Sequence, residues 1–282
     1  MKICILGANG FVGRHLAPKI AARGDAVVPA SLRDPAAAAT VAAGCDAIVN
    51  LAGEPIGRRW SERAKHEILA SRTELPRQFL DALSRIDSRL PRTYVSASAI
   101  GYYGTSETAT FVEDNPPGSD FLAQVCEAWE REAMSGRDLG MRVAMVRTGI
   151  ALGNDGGALA QMLPPFRLGL GGVASTGRQW YSWIHIDDLA GIYLTVLDAG
   201  DGPYNAVAPN PVTNAAFTHA LGAALHRPTA IPTPAFALNL LLGEGASVVT
   251  TGQRVLPQRI VDERGFVFAY PTLDGALAAL LS

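Results

Sequence analysis

Gly7-Ala8-Asn9-Gly10-Phe11-Val12-Gly13 sets glycines at a GxxGxxG spacing, and that spacing can grip a diphosphate. Gly7 allows a sharp turn, Gly10 has no side chain to bar the phosphates, and Gly13 lets the following helix lie close to the sheet. The open amides and dipole at a helix N-terminus would supply further attraction. Asn9, Phe11 and Val12 fill the spacing and belong to the same cradle; the alternative is a bare tight turn. A second phosphate partner stands at Val28-Pro29-Ala30-Ser31-Leu32-Arg33, which has no acid before Asp34. An Asp or Glu there would bond the ribose 2′-hydroxyl of NAD. Ser31 and Arg33 instead suit a 2′-phosphate, which predicts NADP, with NAD the weaker fit. Arg14 is a further candidate, and a solvated loop charge is the plain alternative for Arg33.

His185, Asp187 and Asp188 could be metal ligands by type. No second histidine lies near them in the sequence, and Asp187 precedes an apolar helix, so an N-cap is the expected role and no metal is expected. Cys4, Cys45 and Cys126 lie far apart without zinc-ligand or disulfide spacing. They read as free thiols of a reducing, cytoplasmic protein.

These groups need a frame. Residues 2–6 form a short apolar run before the glycine turn, and residues 11–22 have helical spacing. Further strands are predicted at 26–28, 46–51, 93–96, 142–146 and 204–207, with helices at 34–43, 120–134 and 187–197. Residues 61–84 read as two helices, with Pro76 near the start of the second. The alternation predicts an α/β fold, a doubly wound parallel sheet of Rossmann type. Between residues 28 and 46 there is room for one helix but hardly for another strand, so the sheet edge is expected to be shortened. Helices at 159–166, 213–225, 235–242 and 273–281 follow. The expected division is 1–204 for the nucleotide-binding domain, with 150–204 bordering the cleft, and 205–282 for a smaller C-terminal α+β lobe on the substrate side.

The 282 residues are 48% hydrophobic and 18% charged, with net charge −2, a globular composition. A nucleic acid or an anionic membrane would call for a concentrated positive field, which this balance does not promise. No apolar stretch is long enough for a membrane span, and no targeting segment is visible. The expected partner is a small-molecule substrate; a homodimer is left open.

GANGFVG at 7–13, NLAGEPI at 50–56, SASAIGYYG at 96–104 and WIHIDDLAG at 183–191 resemble the extended short-chain dehydrogenase/reductase superfamily. RRW at 58–60, DFLAQVCEAWE at 120–130, RTGIALGNDGGAL at 147–159 and GQRVLPQR at 252–259 are similar to its atypical, epimerase-like branch. That branch is the NAD-dependent epimerase/dehydratase family with a C-terminal domain of unknown function. The resemblance spans essentially the whole chain. It implies an NADP-binding Rossmann domain, with Leu51, Ala52 and Gly53 lining the nucleotide and Glu67 and Arg72 near it. A solvated helix face is the alternative for that last pair.

Members of the superfamily pair a tyrosine with a lysine four residues later, and the lysine tunes the phenol for proton exchange. The lysines here are Lys2, Lys19 and Lys65, and none follows a tyrosine at that spacing. Leu122 and Cys126 stand in the expected places. By the resemblance, Ser98 is the remaining catalytic candidate, facing the nicotinamide from a strand end, and Tyr102 or Tyr103 could supply a substitute acid. A backbone-bonded hydroxyl and a packed ring are the alternatives. Arg147, Gln179, Trp180 and His185 are cleft candidates by position. The expected activity is that of an NADP-dependent oxidoreductase or epimerase acting on a small, sugar-nucleotide-like substrate. The competing reading is a catalytically weak NADP-binding sensor or scaffold.

Overall fold

A computed structural model describes residues 1–282. The first half runs β1 (Lys2–Leu6), α1 (Phe11–Ala22), β2 (Ala26–Ala30), α2 (Pro35–Ala43), β3 (Ala47–Asn50), α3 (Glu62–Ala70), α4 (Glu74–Ser84) and β4 (Thr93–Ala99). It continues with β5 (Thr110–Phe111), α5 (Phe121–Met134), β6 (Arg142–Thr148), β7 (Ile150–Leu152), α6 (Gly157–Arg167), β8 (Trp180–Tyr181) and β9 (Trp183–His185). Next come α7 (Ile186–Ala199), β10 (Gly202–Ala206), β11 (Val212–Thr213), α8 (Asn214–Ala224) and α9 (Ala235–Leu242). The chain ends with α10 (Ser247–Thr250), β12 (Arg254–Val255), α11 (Gln258–Asp262) and α12 (Leu273–Leu281).

The main sheet is six-stranded in the order β10-β6-β4-β3-β1-β2, and every pairing within it is parallel. β2 is the edge, because α2 leads straight back to β3 on the other side of β1; this is the shortened edge the sequence predicts. Alternate residues of each strand feed opposite faces. Ile3 and Ile5 join a large cluster under α1 and α7, whereas Cys4 and Leu6 join a second cluster under α2 and α4. Both faces are therefore covered, as a parallel sheet requires.

Local signals explain the boundaries. Asp34 caps α2 through the Ala37 amide, with Pro35 in the first turn, and Asp120 caps α5 through the Ala123 amide. Pro76 lies in the first turn of α4, where its missing N–H costs no helical bond. Two expectations are corrected. The domain boundary at 204 falls inside β10, which belongs to the main sheet. The chain beyond it packs back onto that sheet, with Ala276, Leu277 and Leu280 in one cluster with Ile3 and Val95. Asp187 is not the cap of α7: His185 is, its ring accepting from the Asp187 amide, while Asp187 pairs with Lys19 at 3.0 Å. No helix is long and apolar enough to cross a membrane, and no group of three or more His, Cys, Asp and Glu side chains is placed to hold a metal ion.

Candidate functional site

The glycine turn links β1 to α1 at the carboxyl edge of the sheet. Gly7 has φ +88°, and a Cβ there would press on the Ala52 amide and Leu51 carbonyl carbon at 3.2 Å. Gly10 caps α1 without a side-chain bond, leaving the first-turn amides open to a ligand. A Cβ on Gly13 would lie 2.5 Å from the Ala8 oxygen and 2.6 Å from the Gly7 oxygen. Its absence thus lets the helix fold onto the turn's own carbonyls rather than onto the sheet.

Asn9 is exposed, and Val12 is half-buried against the core. The Phe11 ring packs against the loop 153–157. A Cβ on Gly153, Gly156 or Gly157 would fall 2.4–2.6 Å from that ring, which accounts for the glycines of the loop. Arg14 is engaged with Asp155 at 3.3 Å, as is His15 at 3.0 Å. Ser31 and Arg33 are exposed beyond β2, and Arg33 makes no ion pair.

From this turn a line of contacts leads inward. Leu51 and Ala52 touch Gly7, and Gly53 lies over the Arg72 guanidinium, whose Cζ is 3.0 Å from where a Gly53 Cβ would be. Arg72 also lies 4.9 Å from the Trp129 ring centre and donates to the Ile68 carbonyl, with no carboxylate partner. Burial pushes its pKa down. Arg72 then opens onto a cavity of about 540 Å³.

The cavity floor is the carboxyl ends of β4 and β6, at Ala99 and Thr148. One wall is α5, through Phe121, Leu122, Val125, Cys126 and Trp129; the other is Ile56, Trp60, Trp180 and the segment from Glu244 to Gln253. Leu122 and Cys126, which the resemblance puts at the tyrosine and lysine positions, both line the cavity, and no tyrosine or lysine lines it. Burial raises the Cys126 thiol to about 12, and likewise Cys4 to about 12, and it raises Cys45 as well. These thiols stay protonated in the fold. Thiol labelling at pH 8 is therefore expected to be silent on the native chain and complete in urea; rapid native labelling would contradict the enclosure of Cys126. Stability is expected to fall as pH rises from 9.0 toward about 12, because the unfolded thiols ionise first.

Ser98 requires correction. Strand alternation turns it away from the cavity, 3% exposed, and its hydroxyl donates to Glu130 of α5 at 2.6 Å. Glu130 is held bidentately by Arg147, with both N···O distances 2.8 Å. Tyr103 bonds Arg147 and Asn205, and Tyr102 is no substitute acid in the cavity, since its ring lies 3.5 Å from the Arg147 guanidinium carbon. Arg147 is thus a structural cation.

Glu67 does not join Arg72 beneath Gly53; it accepts from Arg58 at 2.9 Å and Arg63 at 2.7 Å. His185 is stacked on Tyr270 at 3.8 Å, and Asp188 accepts the Ala269 and Tyr270 amides, so this cluster anchors the C-terminal segment. Gln179 is buried in backbone bonds, whereas Trp180 does line the cavity.

The sequence reading missed Trp60, Phe121, Trp129 and Val248 as wall residues. The signal available was helical: Phe121, Leu122, Val125, Cys126 and Trp129 form one stripe of α5.

Residues 3–207 match the model of the NAD dependent epimerase/dehydratase family, and residues 233–280 match a domain of unknown function, DUF1731. The chain belongs to the NAD dependent epimerase/dehydratase family. Within that family it is 40% identical over 303 residues to the chloroplastic epimerase family protein SDR39U1 homolog of Arabidopsis thaliana, covering 100% of this chain and 87% of that one. The crystal structure of human epimerase family protein SDR39U1 (isoform 2) with NADPH superposes with a TM-score of 0.89 at 35% identity, covering 100% of this chain and 99% of that one. A nucleoside-diphosphate sugar epimerase from Corynebacterium glutamicum gives a TM-score of 0.77 at 32% identity, covering 100% of this chain and 58% of that one. The α/β sheet and the C-terminal segment are thus shared family features.

Proposed function

We propose that this chain binds NADP and works as an oxidoreductase or epimerase on a small molecule held in the cavity. The observation that carries the reading is the unbroken path from Gly7 through Leu51, Ala52, Gly53 and Arg72 into that cavity. The NADPH in the human relative supports the choice of cofactor. The residues present fit a dinucleotide. Gly10 leaves the α1 amides uncovered, Arg33 has no competing carboxylate, and Arg72 is a half-buried cation lacking an anion.

In this assignment the open first-turn amides of Phe11–Gly13 hold the diphosphate, the Gly10 amide being taken by the Gly7 carbonyl. Ser31 and Arg33 hold the 2′-phosphate, and Arg72 reaches the nucleotide under Gly53. The bound nicotinamide supplies or accepts hydride. The contribution of the protein is orientation and exclusion of water, because the superfamily's phenol and ammonium are replaced by Leu122 and Cys126. That replacement also favours a second reading, an NADP-binding protein with little chemistry. NADPH consumption over a panel of carbonyl compounds separates the two: turnover supports the enzyme, and tight binding without turnover on any of them supports the sensor.

Cofactor choice has a sharper test. Arg33→Ala is expected to weaken NADPH about tenfold or more, the worth of one charge-assisted bond, and to change NADH less than about twofold. Calorimetric titration of both coenzymes checks it. Equal losses for the two would remove the role assigned to Arg33.

A further inference from the structure

We propose that the cavity takes a lipophilic carbonyl compound, an aromatic or chain-bearing aldehyde or ketone without a diphosphate, rather than a sugar nucleotide. The inference rests on the NADP-binding reading above and narrows its substrate.

Most polar side chains of the wall already serve their own chain, the exposed Thr105 hydroxyl being the exception. Ser182 donates to the Gln253 carbonyl and accepts the Val255 amide, while the Gln253 amide donates to Ile100. Ser247 and Thr251 donate to the carbonyls of Glu244 and Ser247. Trp60 and Trp180 direct their indole N–H groups to the Ile56 and Glu107 carbonyls. Asp120 caps α5, and Glu244 is paired with Lys65.

What remains for a ligand is mainly the faces of Trp60, Phe121, Trp129 and Trp180, with Ile56 and Val248, and the single hydroxyl of Thr105. A sugar nucleotide would bring two phosphate charges and several hydroxyls into this wall. Each polar group buried there without a partner costs roughly 1–3 kcal/mol, and a bare charge far more. Arg72 is the only cation on the wall, and it lies on the nucleotide side against Gly53. The indole N–H of Trp129 is buried behind its own ring, so this residue too offers a ligand its apolar surface.

The segment before the wall residue Glu244 continues the same chemistry. Arg59, next to Trp60, donates to the Leu240 carbonyl of α9 at 2.9 Å, which ties this helix to the Trp60 segment. On α9, Phe236, Leu240 and Leu241 are 70–78% exposed, an apolar surface on which a chain longer than the cavity can lie.

The test is calorimetry, with tryptophan fluorescence as a second signal, on the whole chain loaded with NADP⁺. The probes are 2-naphthaldehyde and UDP-glucose. Saturable binding of 2-naphthaldehyde with quenching of the wall tryptophans is expected, and no heat from UDP-glucose. Val248→Asp and, separately, Ile56→Asp are expected to weaken the aldehyde at least about tenfold. Both should keep the wild-type melting transition and NADP⁺ affinity within about twofold. Saturable UDP-glucose binding overturns the proposal, as does absence of saturable 2-naphthaldehyde binding or indifference of that binding to both folded variants. The titration of NADP⁺ that precedes the probes judges the underlying reading by itself. Failure at that first step sinks the cofactor assignment, whereas failure only at the second sinks the substrate class.

Discussion

Arg147→Met is expected to cost about 3–5 kcal/mol of folding stability, the usual penalty for leaving the partner of a buried ion pair alone. The Arg147 side chain is 3% exposed and that of Glu130 9%. Burial acts against the Arg147 charge, but the hydrogen bonds and charge of Glu130 outweigh it, and the net pKa is raised. Without the guanidinium, the Glu130 carboxylate would keep only the Ser98 hydroxyl. The Glu113 carbonyl and the Tyr103 hydroxyl would also each lose a donor. The double replacement Arg147→Met with Glu130→Leu is expected to regain most of the loss, because no charge is then stranded. Urea unfolding of the two single variants and the pair measures the coupling. A loss below about 1 kcal/mol for Arg147→Met would mean that water reaches the pair in solution, contrary to the burial described.

Gly13→Val is expected to damage fold and nucleotide site together. Its Cβ would sit 2.5 Å from a backbone oxygen that belongs to the turn itself, so no side-chain rotation relieves the clash. Overpacking of this kind costs about 1–3 kcal/mol or more. Relief by opening the turn would move Gly10 and the α1 amides from the diphosphate, and NADPH affinity is expected to drop about hundredfold. Gly24→Asn is the control. Gly24 has φ +81°, but a Cβ there meets nothing within 4 Å. Asparagine tolerates the left-handed conformation, so a cost of at most about 1 kcal/mol and unchanged binding are expected. Thermal unfolding with NADPH titration checks both variants. Wild-type affinity in a folded Gly13→Val chain would dissociate the glycine turn from nucleotide binding.

Most of the architecture is legible in the sequence because it rests on short-range rules. Strands of four to seven residues alternating with helices dictate a parallel sheet, and the span between residues 30 and 47 limits it to one edge strand beyond β1. The glycine turn was legible for the same reason: backbone freedom and helix-end amides are properties of consecutive residues. So was the loss of the tyrosine–lysine pair, since a chain with only Lys2, Lys19 and Lys65 can be searched completely.

Where side chains point across elements was not legible. Ser98 has the right type and the right strand, yet one residue of register separates it from the cavity floor at Ala99. The period of two along a strand turns its hydroxyl to α5 instead. Arg147 and Glu130, 17 residues apart, meet only because β6 lies beside β4 under α5. Glu67 and Arg72 share one stretch of charged sequence, and only packing sends one into a surface ion-pair cluster and the other beneath Gly53. The sequence by itself determined the local backbone and the glycine turn with its open helix-end amides, which need only neighbouring residues. The tertiary structure decided which side chains form the cavity and which are consumed in holding it, because that depends on contacts between residues far apart along the chain.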